Sequence, residues 1–474
     1  MTSPGGGSST LHQSSPSGAS VEEAQAFLCD HADVDAIDVV LVDSNGIGRG
    51  KIIRRHELLS LYENGRHFPT SILGLDVAGE DVDATGLIWD VGDADRLAWP
   101  IPGTLAPLTW TVPARAQVLV SLFELDGSPM AADPRHAMCR QIDRLVADGL
   151  RPAAAFELEF FLFASERGPD GRPQPARAAL DGRASIGTQT YGLEELDGMQ
   201  PLFADIYAAA KAQQLPLETL ISEYAPGQYE LTLHYRTELG RAADDLVMLK
   251  RLVRAVARRH GMTACFMAKP CSGDSGSGMH LHLSLSDGSG KNVFAEQSAG
   301  EVNAPLRNAI GGLLSAMAES MVVFAPHANS WRRLTSRSYA PVAPTWGFNN
   351  RSVAIRVPAA PVTARRLEHR VAGVDANPYL VAATVLAGLH HGLAARLDPG
   401  PAVDGNGYEE ANYGGARLPP DWRSAIACAK DSAFLRDALG NTLHRAFIAI
   451  KESELLRVTS TVTELDYRLY LELI

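Results

Sequence analysis

The sequence predicts an α+β fold with more than one domain. Three observations carry that prediction. Residues from about 25 to 125 hold short β-rich runs punctuated by Gly and Pro. Beyond them, strands with period-2 alternation are interspersed with long helical patterns. A chain of 474 residues also exceeds what one hydrophobic core usually organises.

Composition narrows the function class. A formal charge of -12 argues against a general nucleic-acid or acidic-membrane binder, while leaving room for a local basic pocket. Cys29, Cys139, Cys265, Cys271 and Cys428 are odd in number, scattered and free of any Cys-x-x-Cys pair. They read as reduced thiols of a cytoplasmic protein. No apolar run is expected to span a membrane, and the N-terminus lacks the basic-then-apolar order of a signal peptide.

Residues 1–20, rich in Ser, Gly and Pro, read as a disordered tail. Val21–His31 has helical spacing. Ala36–Val42, the turn Gly46–Gly50 and Lys51–Arg54 form a hairpin signature. The string Gly-Ile-Gly-Arg-Gly-Lys there lacks the spacing and the Ser/Thr of a phosphate loop, so a hairpin turn is the better reading. Thr70–Val77, Leu87–Asp90 and Gln117–Glu124 continue the short-strand pattern. Pro134–Asp148 is predicted helical behind Asp133, Ala153–Phe163 a strand, Asp197–Gln214 a helix, Tyr229–Tyr235 a strand and Leu239–His260 a long helix. Met279–Ser286 is a strand, Leu306–Phe324 a helix, 326–360 an Arg- and Pro-rich loop region, Pro378–Leu397 a core helix, and the last 50 residues mostly helical.

The chemistry gathers in four segments. Gly273–Ser286 is a glycine-rich turn running into alternation that puts His280, His282, Ser284 and Ser286 on one face and Met279, Leu281, Leu283 and Leu285 on the other. Glu157 and Glu159 share a strand face about 7 Å apart, among four phenylalanines. Carboxylates in such surroundings are costly unless a cation compensates them. Glu223 and Glu230 flank Pro226-Gly227, a turn that can fold one back beside the other. Carboxylates with at most one imidazole suit magnesium or manganese, and several together suit two ions that clamp a transferring phosphoryl group. The fourth segment is basic: Arg332, Arg333, Arg337, Arg351, Arg356, Arg365, Arg366 and Arg370, with Arg351 and Arg356 bracketing a strand at 352–355. Planar guanidiniums suit carboxylate and phosphate recognition, so the combination points to ATP-driven phosphoryl transfer to a carboxylate.

These motifs, in this order, resemble the glutamine synthetase family over nearly the whole chain past the tail. They are Asn45–Lys51, Glu157-Leu-Glu159, Glu223 to Glu230, Lys269-Pro270 through Ser284, Asn349 to Pro358, and Glu368 to Tyr379. The resemblance implies a β-grasp domain at 21–126 and a catalytic domain at 127–474 whose curved antiparallel sheet is flanked by helices. It implies a homo-oligomer, a dodecamer of two hexameric rings, with sites completed across subunits. It implies ATP, L-glutamate and an amine as substrates, with two or three Mg2+ or Mn2+ ions. By motif, Glu159, Glu223 and Glu230 would hold a first metal, and Glu157, His280 and Glu368 a second. Glu218, His282, Ser284, Arg351, Arg356 and Arg366 would serve ATP. Gly276, Arg333 and Arg370 would hold glutamate, and Arg351, Arg356 and Arg370 would act in catalysis.

Two departures bear on the amine. Ammonium-using members of the family carry Glu before the Ala-Pro that follows Arg333, and this chain has Tyr339. A phenol, with a pKa of roughly 10, cannot supply that negative charge. Ser275 stands where an Asn usually contacts glutamate. Tyr339, the run Phe68–Asp76 and the run Glu368–Tyr379 favour family members that use putrescine or a related polyamine, with a monoamine such as ethanolamine next. Asp76 is then a candidate anchor for the cationic amine. An ordinary ammonium-using enzyme and a non-catalytic metabolite-sensing ring are the alternatives.

Overall fold

The computed structural model describes residues 15–169, 171–185, 187–295, 302–409 and 417–474. The expected tail therefore falls mostly outside the described residues. Within it, Ser20 caps the first helix, α1 (Val21–Asp30), by accepting a hydrogen bond from the Glu23 amide.

A first, six-stranded sheet contains β1 (Ala36–Val42), β2 (Gly48–Arg54), β3 (Arg66–Pro69), β4 (Asp95–Pro100), β5 (Ala106–Leu108) and β6 (Arg115–Phe123). Its order is β2-β1-β6-β4-β3, with β5 along β6. Strand β1 is apolar almost throughout and buried at every position, as a strand covered on both faces must be. Its neighbour β2 lies at the sheet edge, where Arg49, Lys51 and Arg54 keep the open edge polar. The predicted hairpin between them is present. Asp43 accepts from the amides of Asn45 and Ile47, and Gly46 takes the positive φ of +74° that the turn requires. Helix α2 (Leu58–Asn64) completes this part.

The second sheet has nine strands: β7 (Arg151–Arg167), β8 (Pro173–Pro175), β9 (Leu217–Ser222), β10 (Gln228–Leu233), β11 (Met262–Cys265), β12 (Met279–Ser286), β13 (Trp346–Phe348), β14 (Ile355–Val357) and β15 (Leu367–His369). The path runs β13-β14-β15-β12-β7-β10-β9, with β8 and β11 also paired to β7. On β7, Phe156, Leu158, Phe160 and Leu162 alternate into the core, which leaves Glu157 and Glu159 on the opposite face. Helices α3 (Pro134–Ala147) and α6 (Leu239–Arg259) pack against β7; α4 (Leu193–Gly198) and α5 (Gln200–Ala212) lie between them in sequence. Helices α7 (Ala304–Ser315), α8 (Met317–Phe324), α9 (Pro378–Ala395), α10 (Trp422–Asp431), α11 (Ala433–Leu439), α12 (Asn441–Ser460) and α13 (Glu464–Tyr470) follow.

The two sheets are tied together. The Asn377 side chain donates to Asp43 O at 2.8 Å while its own oxygen caps α9, and Lys451 of α12 donates to Asn45 Oδ1 at 2.5 Å. Glu454, beside Lys451, accepts from the Val77 amide.

Several expectations need correction. Thr70–Val77 and Leu87–Asp90 are not strands: they contain short 3₁₀ turns at Thr70–Leu73 and Trp89–Val91. The helix expected at 197–214 is α5, starting at Gln200 just after the separate short α4, whereas that at 306–324 is two helices, parted at Ala316. The strand expected at 352–355 runs Ile355–Val357, so Arg356 lies within it. Among the described residues, one helix is long and apolar enough to cross a membrane by length and composition: α9, with mean hydropathy 1.2. It is 72% buried among the core helices, and that burial accounts for its apolar character.

Candidate active site

Cross-strand register brings the separate segments to one face. Glu230 of β10 sits opposite Glu159 of β7, and His280 of β12 opposite Glu157. His282 of β12 sits opposite Glu368 of β15, which sits opposite Arg356 of β14. Antiparallel pairing therefore lines carboxylates and imidazoles across four neighbouring strands, with an arginine at the far end. The tight turn at Gly227, with φ +72°, reverses β9 into β10 and returns Glu223 beside Glu230.

Side chains close the row into a cage. Glu157 accepts from His280 Nδ1 at 2.8 Å and His282 Nε2 at 2.7 Å. Arg366 Nε donates to His282 Nδ1 at 3.2 Å, which leaves the His282 proton on Nε2, facing Glu157. Glu368 is fully buried; it accepts from Arg356 at 2.9 Å and is paired with Arg370. Glu159 accepts from the Gly278 amide at 2.6 Å.

Two electrical halves result. Burial works against the Glu157 carboxylate, but the two histidine hydrogen bonds hold it well below the ordinary range. Against burial, Arg370 and the two histidines pull Glu368 down to about 2. Glu223 and Glu230 behave oppositely. Burial and then Glu159 push Glu223 up to about 7. Burial and then Glu157, Glu159 and Glu223 push Glu230 up to about 10. Glu223 and Glu230 have no ion-pair partner among the described residues. Ligand atoms of Glu159, Glu223 and Glu230 lie within 4.8 Å of one another, as do those of Glu157, Glu230 and His280, and of Glu157, His282 and Glu368. Uncompensated buried carboxylates at this spacing, with oxygen donors predominating, fit a hard divalent cation such as Mg2+ or Mn2+.

The glycine-rich loop is shaped by contact. A Cβ on Gly276 would meet Ala268 O at 2.6 Å and Arg333 Cγ at 2.7 Å, and one on Gly278 would meet Arg333 Nη2 at 2.6 Å. Only glycine lets the loop lie against Arg333. Arg333 is buried and donates to Val371 O at 2.9 Å and Arg370 O at 3.3 Å. Arg351 is exposed and close enough to Glu223 for its charge to act on that carboxylate. Beside the cage lies a cavity of ≈ 720 Å³ lined by Glu157, Glu218, His234, His282, Ser284 and Arg366. Such a volume is in the range of small-molecule pockets.

The structure thus brings together Glu157, Glu159, Glu223, Glu230, His280, His282, Glu368, Arg356, Arg366 and Arg370, with Gly276 and Arg333 alongside. His282 is more central than its motif implied, because it bonds Glu157 directly. Glu218 and Ser284 line the adjoining cavity, Glu218 held by His234 at 2.6 Å. Tyr339 is 64% exposed at φ +58°, in a loop whose Arg337 also takes a positive φ. Non-glycine residues in that conformation concentrate at functional loops. Asp76 is not brought to this cluster within the chain: it is 1% exposed, accepts from the amides of Ala78 and Glu80, and pairs with Arg457 at 2.7 Å.

Sequence reasoning passed over two contributors. Gln228 donates to Gly276 O at 3.0 Å and accepts from Ser275, clamping the glycine-rich loop; its place just after the Pro226-Gly227 turn was the available signal. Tyr408 donates from its hydroxyl to Ala340 O at 3.2 Å, next to Tyr339, a long-range contact that no local pattern encodes.

Comparison with known proteins agrees with this geometry. Residues 131–470 match the model of the glutamine synthetase catalytic domain. The chain is 36% identical over 448 residues to the gamma-glutamylputrescine synthetase PuuA of Escherichia coli K12, covering 94% of each chain. It is 30% identical to the glutamate–isopropylamine ligase of a Pseudomonas species (93% of this chain, 96% of the relative) and 30% identical to the gamma-glutamylethanolamide synthetase GlnA4 of Streptomyces coelicolor (94% and 95%). A solved GmaS–ADP complex superposes with TM-score 0.81 at 26% identity, covering 95% of this chain and 99% of that one. A chain that carries this cage on this sheet, and matches the family model over most of its length, belongs to the glutamine synthetase family.

Proposed function

We propose that this protein is an ATP-dependent ligase that joins an organic amine to the γ-carboxylate of L-glutamate. Putrescine or a related polyamine is the favoured acceptor, and a monoamine such as ethanolamine the next. One observation carries the ligase reading: a carboxylate–histidine cage and a set of arginines face each other on one sheet surface beside a nucleotide-sized cavity. Tyr339, neutral and exposed where ammonium-using members of the family carry a glutamate, carries the choice of an organic amine. The relatives named for putrescine, isopropylamine and ethanolamide products support it.

The reaction has two steps. A γ-carboxylate oxygen of glutamate attacks the terminal phosphorus of ATP, ADP leaves, and γ-glutamyl phosphate forms. The lone pair of the neutral amine then attacks the acyl carbon, the C–O bond to phosphate breaks, and the amine nitrogen sheds a proton. Glu159, Glu223 and Glu230 would hold one divalent ion, and Glu157, His280 and Glu368, with His282 alongside, another. When bound, these ions neutralise charge on the ATP phosphates. Arg351, without an ion-pair partner among the described residues, and Arg366 would present N–H groups to the transferring phosphate oxygens, and Arg356, braced by Glu368 and Asn349, would keep its charge beside them. In this reading Arg370 and Arg333, with the Gly276 backbone, would receive the glutamate carboxylates. Glu218, His282 and Ser284 border the nucleotide cavity.

We read residues 21–126 as the β-grasp domain and 127–474 as the catalytic domain. Members of this family are oligomeric enzymes acting on small molecules, and we infer a cytoplasmic dodecamer of two hexameric rings. The apolar C-terminal end supports assembly: Leu465, Tyr467, Leu471 and Leu473 are exposed, which a soluble single chain rarely tolerates together. In that assembly Asp76 remains our candidate for an amine contact made across subunits, once released from Arg457. The test is phosphate release with ATP, glutamate and a panel of amines. Turnover should be highest with a diamine or small monoamine. Greater turnover with ammonium than with every organic amine would make this an ordinary glutamine synthetase. No turnover with any amine would favour a non-catalytic ring.

A further inference from the structure

Behind the catalytic sheet, on the side away from the cage, lies a second cavity of ≈ 680 Å³ between the β1–β2 hairpin and α6. It shares no lining residue with the cavity beside the cage. Its α6 wall carries Lys250, Arg254 and Arg258, spaced i, i+4 and i+8 on one face of the helix. Like charges at that spacing repel and destabilise a helix. Lys250 and Arg254 register that repulsion on top of burial. Burial, and then Arg254, push Lys250 down to about 7, and Arg254 is lowered by burial with a contribution from Arg258. No carboxylate pairs with Arg254 or Arg258 among the described residues.

The facing wall adds charge of the same sign. Lys51 stands there on the glycine-spaced string that resembles a phosphate loop without being one, beside Arg49, which is paired with Asp43 at 2.9 Å. The cavity's single lining carboxylate, Asp38, is already shared between Arg115 and Arg251. In a chain of net charge -12, this is a concentrated positive pocket. A large single-sign field in a concave, low-dielectric site concentrates ions of the opposite sign.

We propose that this cleft is a second binding site, for a small multivalent anion bearing phosphate or carboxylate groups. Lys250 already donates to Val374 O at 2.7 Å, so multivalency follows from Arg254 and Arg258 on the helix facing Lys51 on the hairpin, which one monovalent ion cannot satisfy together. A small molecule follows from the volume. Bound there, the anion joins α6 to the hairpin and relieves the repulsion along the helix.

The test is titration calorimetry on the full chain in EDTA, with inorganic pyrophosphate and separately with citrate. The double variant Arg254→Gln/Arg258→Gln should bind at least about tenfold more weakly than wild type. ADP binding with Mg2+ should persist in that variant, showing that it is folded, and Arg258→Lys should retain most of the affinity. A response to pyrophosphate alone assigns the site to phosphates, and to citrate alone to carboxylates. The proposal is overturned if the double variant binds both anions as wild type does. It is equally overturned if neither anion binds wild type better than chloride at matched ionic strength. A changed subunit count for the double variant by light scattering would hand the cleft to a neighbouring copy and overturn it too.

Discussion

Substituting Glu230→Gln separates a metal cage from a structural carboxylate cluster. Glu159, Glu223 and Glu230 offer oxygens within 4.8 Å of one another. At an effective dielectric of about 20, each ionised pair at that separation repels by roughly 3 to 4 kcal/mol. The three cannot all be ionised without a cation, and the cost falls most heavily on Glu230, pushed up to about 10. In the cation-free protein Glu230 is therefore already neutral near pH 7, and the amide should leave the melting temperature within about 1 °C. With Mn2+ the outcome differs. An ion at a hundredfold excess over its Kd stabilises by about 2.7 kcal/mol. For 474 residues the unfolding entropy is about 1 kcal/mol/K, so wild type should gain about 3 °C per ion. Glu230→Gln should lose most of that gain. Glu157→Gln supplies the contrast: its carboxylate accepts from two histidines, so this variant should melt lower even without metal. Differential scanning fluorimetry of the three proteins, in EDTA and in Mn2+, reads all six states. An undiminished Mn2+ shift in Glu230→Gln, or no shift in wild type, would refute the cage.

Three further outcomes can be checked. Against its burial, Lys451 and His327 hold Glu454 down to about 2, below an unfolded value near 4.5. Its contribution, on the order of 3 kcal/mol, is complete above about pH 4.5 and drains as pH falls toward 2. Glu454→Gln should flatten stability over that window in denaturant titrations, and a slope equal to wild type would count against the network. Tyr339→Glu should raise ammonium-dependent phosphate release relative to organic amines; an unchanged ratio would remove the charge argument. Tyr408→Phe deletes the hydrogen bond to Ala340 O, worth about 0.5–1.5 kcal/mol. It should raise the amine KM roughly two- to tenfold while leaving the ATP KM alone, and equal changes in both would indicate a general loosening instead.

The parts of the fold written in local periodicity were readable. The hairpin at Ala36–Arg54, the long helix α6 and the alternation of β7 and β12 follow from residue order alone. The strand alternation alone also puts Glu157, Glu159, His280 and His282 on polar faces. What joined those faces was register, and register is a long-range property: nothing local states that His280 lies opposite Glu157. The runs at 70–77 and 87–90 misled because β-rich residues there serve 3₁₀ turns, with Leu73 and Ile88 buried as single anchors. Strands β4 and β11 were missed because they are short and lack clean alternation. Tyr408 and Gln228 act through contacts 68 and 48 residues away, beyond any motif window.

The most direct test of the account follows oxygen. Glutamate labelled with 18O in its γ-carboxylate, incubated with ATP, Mg2+ and the best amine of the panel, should yield inorganic phosphate carrying one labelled oxygen per turnover. That transfer occurs only if the carboxylate is phosphorylated before the amine attacks. Product formation with unlabelled phosphate would contradict the proposed reaction.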